Sequence, residues 1–298
     1  MIEGGALAGI LPRNVSIMRR LTSIGAAAVL AVAFTLGSVP APLAAADSTE
    51  SGRFVWHDLM TRDVGAARQF YGALLGWRFE DTKRGDRPYV LARAGSEMVA
   101  GFVDVSAIPD AGPQWISFLA VDDVDKSVAL VQSEGGKVLV APREVPSVAR
   151  AAVVTDPQGA PLGLAQLRRA VPDPEQPKPG RVFWQEYLAR DASQALAFYK
   201  RLAGYESKVT DTRLGIEYHV LQRTRGRAGL FQLAATTKDV EPNWLPYVLV
   251  SDPAGLAARV PGLGGRVLVP AAPELRNGSL VVIADPGGAP LALQKYPY

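Results

Sequence analysis

The stretch "DPQGAPLGLAQ", residues 156–166, returns as "DPGGAPLALQ", residues 285–294, after an offset of 129 positions. In both copies an Asp-Pro-x-Gly turn opens onto an apolar strand. Neither strand holds an acid, a histidine or a cysteine. The repetition therefore has to be read first as architecture.

Working outward, the turns prove to be the tail of a longer repeat. "GRFVWHDLMTRDVGAARQFYGALLGW" (52–77) matches "GRVFWQEYLARDASQALAFYKRLAGY" (180–205), and "GGKVLV" (135–140) matches "GGRVLV" (264–269). The chain reads as a tandem duplication, with halves at 51–166 and 180–295. Between them "LRRAVPDPEQPKPG" holds four Pro, which cannot join a helix or an inner strand, so 167–179 reads as a stiff linker.

Each half divides again. A Trp stands seven residues before a short polar residue four times: Trp56/Asp63, Trp115/Asp122, Trp184/Asp191 and Trp244/Ser251. In the first unit the β-rich run "FVWHDLM" leads to Asp63, a candidate N-cap. Ala67, Phe70, Tyr71, Leu74 and Leu75 follow at helical spacing, with Gly76 as the stop. Further helices are expected from about Asp123 to "EGG", from Asp191 to Gly204, and from "SDPAG", where Pro253 is tolerated in the first turn. Strand-like segments such as "PYVLARA" come after each helix. The expected architecture is α+β, four βαβββ units paired into two domains.

Composition sets outer limits. With 298 residues and 48% hydrophobic content the chain can bury a sizeable core, and the absence of Cys removes disulfides, thiolate nucleophiles and Cys-ligated zinc. Residues 1–46 read as a secretory signal peptide, and the place of Met18 directly before the twin Arg marks it as an alternative start. Arg19 and Arg20 precede the apolar run Ile24–Leu36, and "APLAAA" supplies an Ala-x-Ala cleavage pattern. That run is shorter than the roughly 20 residues needed to span a bilayer. A secreted or periplasmic product without a membrane span is the expectation. Removing three Arg and one Glu with the leader takes the net charge from +3 to +1, which gives no electrostatic reason to bind nucleic acid.

The Phe-Tyr helix followed by Leu-x-Gly-Trp, the segment "VDDVDKSVALVQSEGGKVLV" and the closing Asp-Pro-x-Gly strand resemble the vicinal oxygen chelate superfamily. This family includes glyoxalase I, bleomycin-resistance proteins and extradiol dioxygenases. The resemblance implies that paired units enclose a cleft, which in metal-dependent members is lined by His, Glu or Gln. A divalent ion needs three or four converging O or N donors and an open position. The ligand position implied on each opening strand falls here on His57, Ile116, Gln185 and Leu245. The position implied after Asp-Pro-x-Gly falls on Gly163 and Ala292. One donor does not hold an ion, so no metal or other cofactor is expected.

His219, in "IEYHVLQ", reads as a half-exposed strand histidine in a polar contact. His57 reads equally as a cleft group or a core histidine. Asp58 and Glu186 match in position but, by strand alternation, should lie on the face opposite His57 and Gln185, in structural roles. The expected cleft lining is His57, Tyr89 and Trp115 in the first half and Gln185, Tyr187, Tyr218 and Trp244 in the second. It suits a small, partly aromatic or planar compound. No catalytic residue is assigned. The function expected is metal-free small-molecule binding. A metal-dependent enzyme of glyoxalase or dioxygenase type and a non-catalytic interaction scaffold are the alternatives.

Overall fold

The computed structural model describes residues 51–171, 173, 176–210 and 217–296; the expected leader, 1–46, lies outside the described residues. The first half comprises β1 (Phe54–Thr61), α1 (Val64–Leu75), β2 (Arg78–Arg84), β3 (Arg87–Ala94), β4 (Glu97–Asp104), β5 (Gln114–Ala120), α2 (Val124–Ser133), β6 (Lys137–Val145), β7 (Ala149–Thr155) and β8 (Pro161–Leu167). The second comprises β9 (Val182–Ala189), α3 (Ala192–Ala203), β10 (Glu206–Thr210), β11 (Tyr218–Gln222), β12 (Gly226–Gln232), β13 (Asn243–Leu249), α4 (Pro253–Arg259), β14 (Arg266–Val269), β15 (Leu280–Ala284) and β16 (Pro290–Gln294).

Each half forms one eight-stranded curled sheet. The strand orders are β2-β3-β4-β1-β5-β8-β7-β6 and β10-β11-β12-β9-β13-β16-β15-β14, the same pattern twice. Within a unit the helix carries the chain across to an edge hairpin, and the opening strand pairs in parallel with the last strand, as β1 does with β4. The two opening strands of a half, β1 with β5 and β9 with β13, meet antiparallel at the centre of the sheet.

Local chemistry sets the helix limits. Asp63, Asp123, Asp191 and Asp252 each cap a helix by accepting from a backbone N–H three residues on. Gly76 and Gly204 end α1 and α3 in the left-handed conformation, with φ of 70° and 67°. These caps correct the unit pattern read from sequence. In the second and fourth units the cap is Asp123 or Asp252, so Trp115 and Trp244 stand eight residues before it, whereas Trp56 and Trp184 stand seven before theirs. An offset of one residue moves a strand side chain to the other face. The four Trp are therefore not equivalent.

The helices pack on one face of each sheet, and the two sheets are joined through that face. One core combines Leu119, Val128 and Leu164 of the first half with Tyr187, Phe198 and Trp244 of the second. The other combines Leu59, Phe70 and Trp115 with Val248, Ile283 and Leu293. Neither half closes a helix-side core on its own. The linker is pinned as well: Asp173 forms ion pairs with Arg227 at 2.5 Å and Arg53 at 3.4 Å, and Lys178 reaches Glu97 at 2.6 Å.

The repeated turns explain themselves at this junction. Asp156 and Asp285 are buried, and each orders its own turn by accepting backbone N–H groups through Oδ1. The remaining oxygen of each receives a tyrosine of the other half. Tyr71 donates to Asp285 Oδ2 at 3.2 Å, and Tyr199 donates to Asp156 Oδ2 at 2.9 Å. Burial raises the pKa of both aspartates, against the pull of their donors.

Candidate functional site

The expected cleft set is divided by the structure between three places. Tyr89 and Tyr218 lie on the helix-free face of their sheets. Trp115, Tyr187 and Trp244 lie on the helix side: Trp115 donates to Tyr71 at 3.3 Å, Trp244 to Tyr199 at 2.7 Å, and the Tyr187 hydroxyl to Asp156. These three rings are core, not cleft. His57 and Gln185 lie at the junction of the two halves, where Gln185 Nε2 is 3.2 Å from His57 Nδ1. Ser117 Oγ sits 3.1 Å from both His57 Nδ1 and Gln185 Oε1. Burial lowers the His57 pKa to about 4, so the ring is neutral at neutral pH. A neutral Nδ1 accepts one proton, which suits a relay from the Ser117 hydroxyl to Gln185 and from the Gln185 amide to His57. His219, expected half-exposed, is buried on the helix side beside Leu230 and Val209, with Glu217 at 3.7 Å.

Alternation then gives the helix-free face to Trp56, Asp58 and Met60 on β1 and to Ile116 and Phe118 on β5. Asp58 and Ile116 are cross-strand partners there. Asp58 is fully buried and held from three directions. Tyr89 donates at 2.6 Å, Trp56 Nε1 at 2.8 Å, and Arg84 forms an ion pair at 2.6 Å while its guanidinium lies 3.8 Å from the Tyr89 ring centre. Burial, with the Asp58 charge behind it, pushes the Tyr89 pKa up, so the hydroxyl stays a donor.

The second half builds a counterpart from different parts. Glu186, at the position of Asp58, accepts from Tyr247 and pairs with Arg276 at 2.8 Å. Arg276 also reaches Tyr218 at 3.1 Å and Gln294 Oε1 at 2.9 Å, and Trp184 donates to Tyr218 at 3.1 Å. Whereas Arg84 ends an edge strand of the first unit, Arg276 enters from the β14–β15 connection, where it and Asn277 take φ of 47° and 55°. Two successive non-glycine residues in that region carry strain, held here by the ion pair.

Sequence reading leaves these acids out of the cleft because it gives the cleft face to His57 and Gln185, and alternation then turns Asp58 and Glu186 to the other face. A signal was present. Gly101 of β4 lies beside Asp58 and Gly229 of β12 beside Glu186, both preceded by Ala, and at each a Cβ would collide with the tyrosine hydroxyl over the carboxylate. Glycine is required there because the ring lies directly on the backbone.

The donor set does not suit a divalent cation. The acid of each cleft is already paired with a guanidinium. Around it stand Ile116, Phe118 and Gly163 in one half and Leu245, Tyr247 and Ala292 in the other. The side chain of Phe118 fills the space a side chain at 163 would need. In the second cleft the buried polar atom left without a partner is Gln294 Nε2, an N–H donor that would face a cation with its positive end. Among the described residues no group of three His, Cys, Asp or Glu could hold an ion.

Comparison with known proteins bears on the family and the fold. Residues 53–164 match the family model for the glyoxalase/bleomycin resistance protein/dioxygenase superfamily. CFP32 of Mycobacterium tuberculosis, a candidate glyoxylase by name, is 31% identical over 247 residues, covering 80% of this chain and 93% of that protein. This chain belongs to that superfamily. DnrV of Streptomyces peucetius, named as an anthracycline biosynthesis protein, is 28% identical over 254 residues, covering 80% of this chain and 91% of its own. Among solved structures, the Mn(II)-bound glyoxalase of Novosphingobium aromaticivorans matches with a TM-score of 0.53 at 14% identity, over 83% of this chain and 82% of that one. The 2,2',3-trihydroxybiphenyl 1,2-dioxygenase of Sphingomonas wittichii matches with a TM-score of 0.56 at 14% identity, over 82% and 90%. At such identity these two likenesses concern the fold.

Proposed function

We propose that the chain is a metal-free member of the superfamily that binds a small planar aromatic compound on the helix-free face of its first sheet. The observation that carries the reading is the state of Asp58. The acid that could have served as a metal ligand or a general base is sealed by Arg84, Tyr89 and Trp56. What remains accessible beside it is a half-buried apolar floor of Trp56, Met60, Ala151, Val153 and Leu167 around Phe118. Apolar floors with a few fixed polar groups at one end are the usual form of small-molecule sites. Anthracyclines, named in the description of DnrV, are planar polycyclic aromatic compounds, which fits a floor of this kind. The second cleft is occupied by its own Arg276 and is the poorer candidate.

The name of CFP32 favours a second reading, a metal-dependent enzyme of glyoxalase type. Metal analysis separates the two. After equilibration with Mn, Zn, Ni or Fe and desalting, the binding reading expects far less than one equivalent retained and a melting temperature indifferent to chelators. Stoichiometric metal lost on Asp58→Asn or Glu186→Gln would establish the enzyme reading instead. Export through residues 18–46 is part of the same proposal; an N-terminus near Asp47 on protein from its native host would support it, and an intact Met1 or Met18 would refute it.

A further inference from the structure

The first cleft carries more positive charge than its own acid requires. In the hairpin of β2 and β3, Thr82 faces Tyr89 and Arg84 faces Arg87, so alternation puts both guanidiniums on the face that holds Tyr89 and Asp58. Arg143 is on β6, at the opposite edge of the same sheet, and its cross-strand partner is Ala151 of the apolar floor. The curl of the sheet brings the two edges toward each other. Arg143, exposed but partly desolvated, loses proton affinity through that desolvation and then through the nearby charges of Arg84 and Arg87.

Arg84 is neutralised by Asp58. Among the described residues neither Arg87 nor Arg143 has an ion pair or a side-chain hydrogen bond. Asp86, in the turn beside them, is exposed and pairs with neither. Like charges gathered without a counter-ion are costly unless something anionic visits. The second half does not repeat the arrangement: at the repeat offset of 129 positions, Arg143 becomes Ala272, while Ser147 becomes Arg276, the residue that fills the second cleft. Ser147 shares the positive φ, 62° against 47°, so the backbone is common and only the side chain differs.

We infer that the first cleft selects planar aromatic ligands bearing an anionic group, a carboxylate above all, with the ring on the Trp56–Phe118 floor and the anion between Arg87 and Arg143. The inference rests on the binding reading proposed above and specifies its ligand class. Arginine suits the role because its planar fork meets a carboxylate with two parallel N–H bonds.

The test compares 2-naphthoate with 2-naphthamide, equal in ring and size but different in charge. Titrations follow quenching of tryptophan fluorescence in the full chain. The expected result is that naphthoate binds at least tenfold more tightly, that added salt narrows the gap, and that Arg87→Gln with Arg143→Gln closes it. Both residues are exposed and unpaired, so the variants should fold normally, which a circular dichroism melt checks. Arg143→Glu should reverse the preference. Equal affinity for both probes in the unaltered protein, or a gap that survives the double substitution, would overturn the anion preference and leave the aromatic cleft standing. Binding of neither probe would overturn both.

Discussion

Tyr71 on α1 donates its hydroxyl to Oδ2 of Asp285, 214 positions along the chain, and Tyr199 on α3 does the same for Asp156. The tyrosine of the Phe-Tyr helix and the aspartate of the closing turn occur in both halves. Each finds its partner in the other half. The two turns and the two helix tyrosines thus form a reciprocal clasp, and the two halves depend on each other for their cores.

The two bonds should differ in weight. Asp156 Oδ2 keeps Tyr187 as a donor when Tyr199 is lost, whereas Asp285 Oδ2 has Tyr71 as its side-chain donor. Tyr71→Phe should therefore cost about 2–3 kcal/mol and Tyr199→Phe about 1–2, the range for a buried acceptor left partly or wholly unpaired. Urea denaturation measures both. Equal losses would mean that the turn N–H groups alone satisfy the aspartates.

Residues 51–167 produced alone should not give a stable monomer. Leu59, Phe70 and Trp115 would lose Val248, Ile283 and Leu293, leaving an apolar face too large for a soluble surface. Size-exclusion chromatography should show aggregate or homodimer, and co-expression with residues 176–298 should recover a 1:1 complex. A monodisperse, cooperatively melting first half would refute this interdependence.

Acid should loosen the same junction. The folded chain holds His57 neutral with a pKa of about 4, against 6.5 for an ordinary imidazole. Below 6.5 the unfolded chain binds a proton that the folded one refuses. The stability His57 lends is therefore full above pH 6.5 and falls as pH drops toward 4, by about 3 kcal/mol at most. Denaturation curves at pH 7.5, 5.5 and 4 should show a loss in the unaltered protein that exceeds the loss in His57→Gln. Parallel losses would place the acid sensitivity elsewhere.

Much of the fold was legible in the sequence, and the reason is physical. Cap residues, apolar spacing and Asp-Pro-x-Gly turns act locally, so four units, their helices and their pairing could be read from "DVGAARQFYGALLGW" and its echoes. The face of each opening strand could not, because it turns on a single residue. The step from Asp122 to Asp123 as the cap decides whether Trp115 points at the cleft or at the helices, and His57, the cross-strand partner of Ser117, shares the face of Trp115. The joining of halves through Tyr71 and Asp285 was equally hidden, since nothing local distinguishes a tyrosine that packs within its unit from one that reaches across 214 positions. Arg276 was missed for a related reason: it serves Glu186 from a connection that has only Ser147 in the first half.

Gly101 and Gly229 should tolerate no side chain. At both, a Cβ would strike the hydroxyl of Tyr89 or Tyr218. Gly101→Ala should displace Tyr89 from Asp58 and cost more than about 2 kcal/mol, the penalty for an overpacked site joined to a buried acid with a lost donor. Gly262→Ala, where nothing lies within 4 Å and φ is ordinary, serves as the neutral control. Comparable stability of the Gly101 and Gly262 variants would show that the tyrosine is free to move aside.

The ion pair of Arg84 with Asp58 gives the last test, because its two members are unequally buried. Asp58 is fully enclosed, while about a quarter of the Arg84 side chain, 27%, remains exposed. Removing the arginine leaves a buried charge with only Tyr89 and Trp56 as donors, so Arg84→Met should cost about 3 kcal/mol, near the low end for breaking a buried pair. Asp58→Asn keeps an oxygen for Tyr89 and removes the enclosed charge, leaving only the partly exposed guanidinium of Arg84. In the Asp58→Asn background the same Arg84→Met change should therefore cost less than about 1 kcal/mol, an interaction energy that a double-mutant cycle in urea reads directly. The cycle also bears on chemistry. If Arg84→Met proves neutral in both backgrounds, Asp58 is not held by the guanidinium, and the claim that this acid is sealed against a metal or a substrate proton loses its footing.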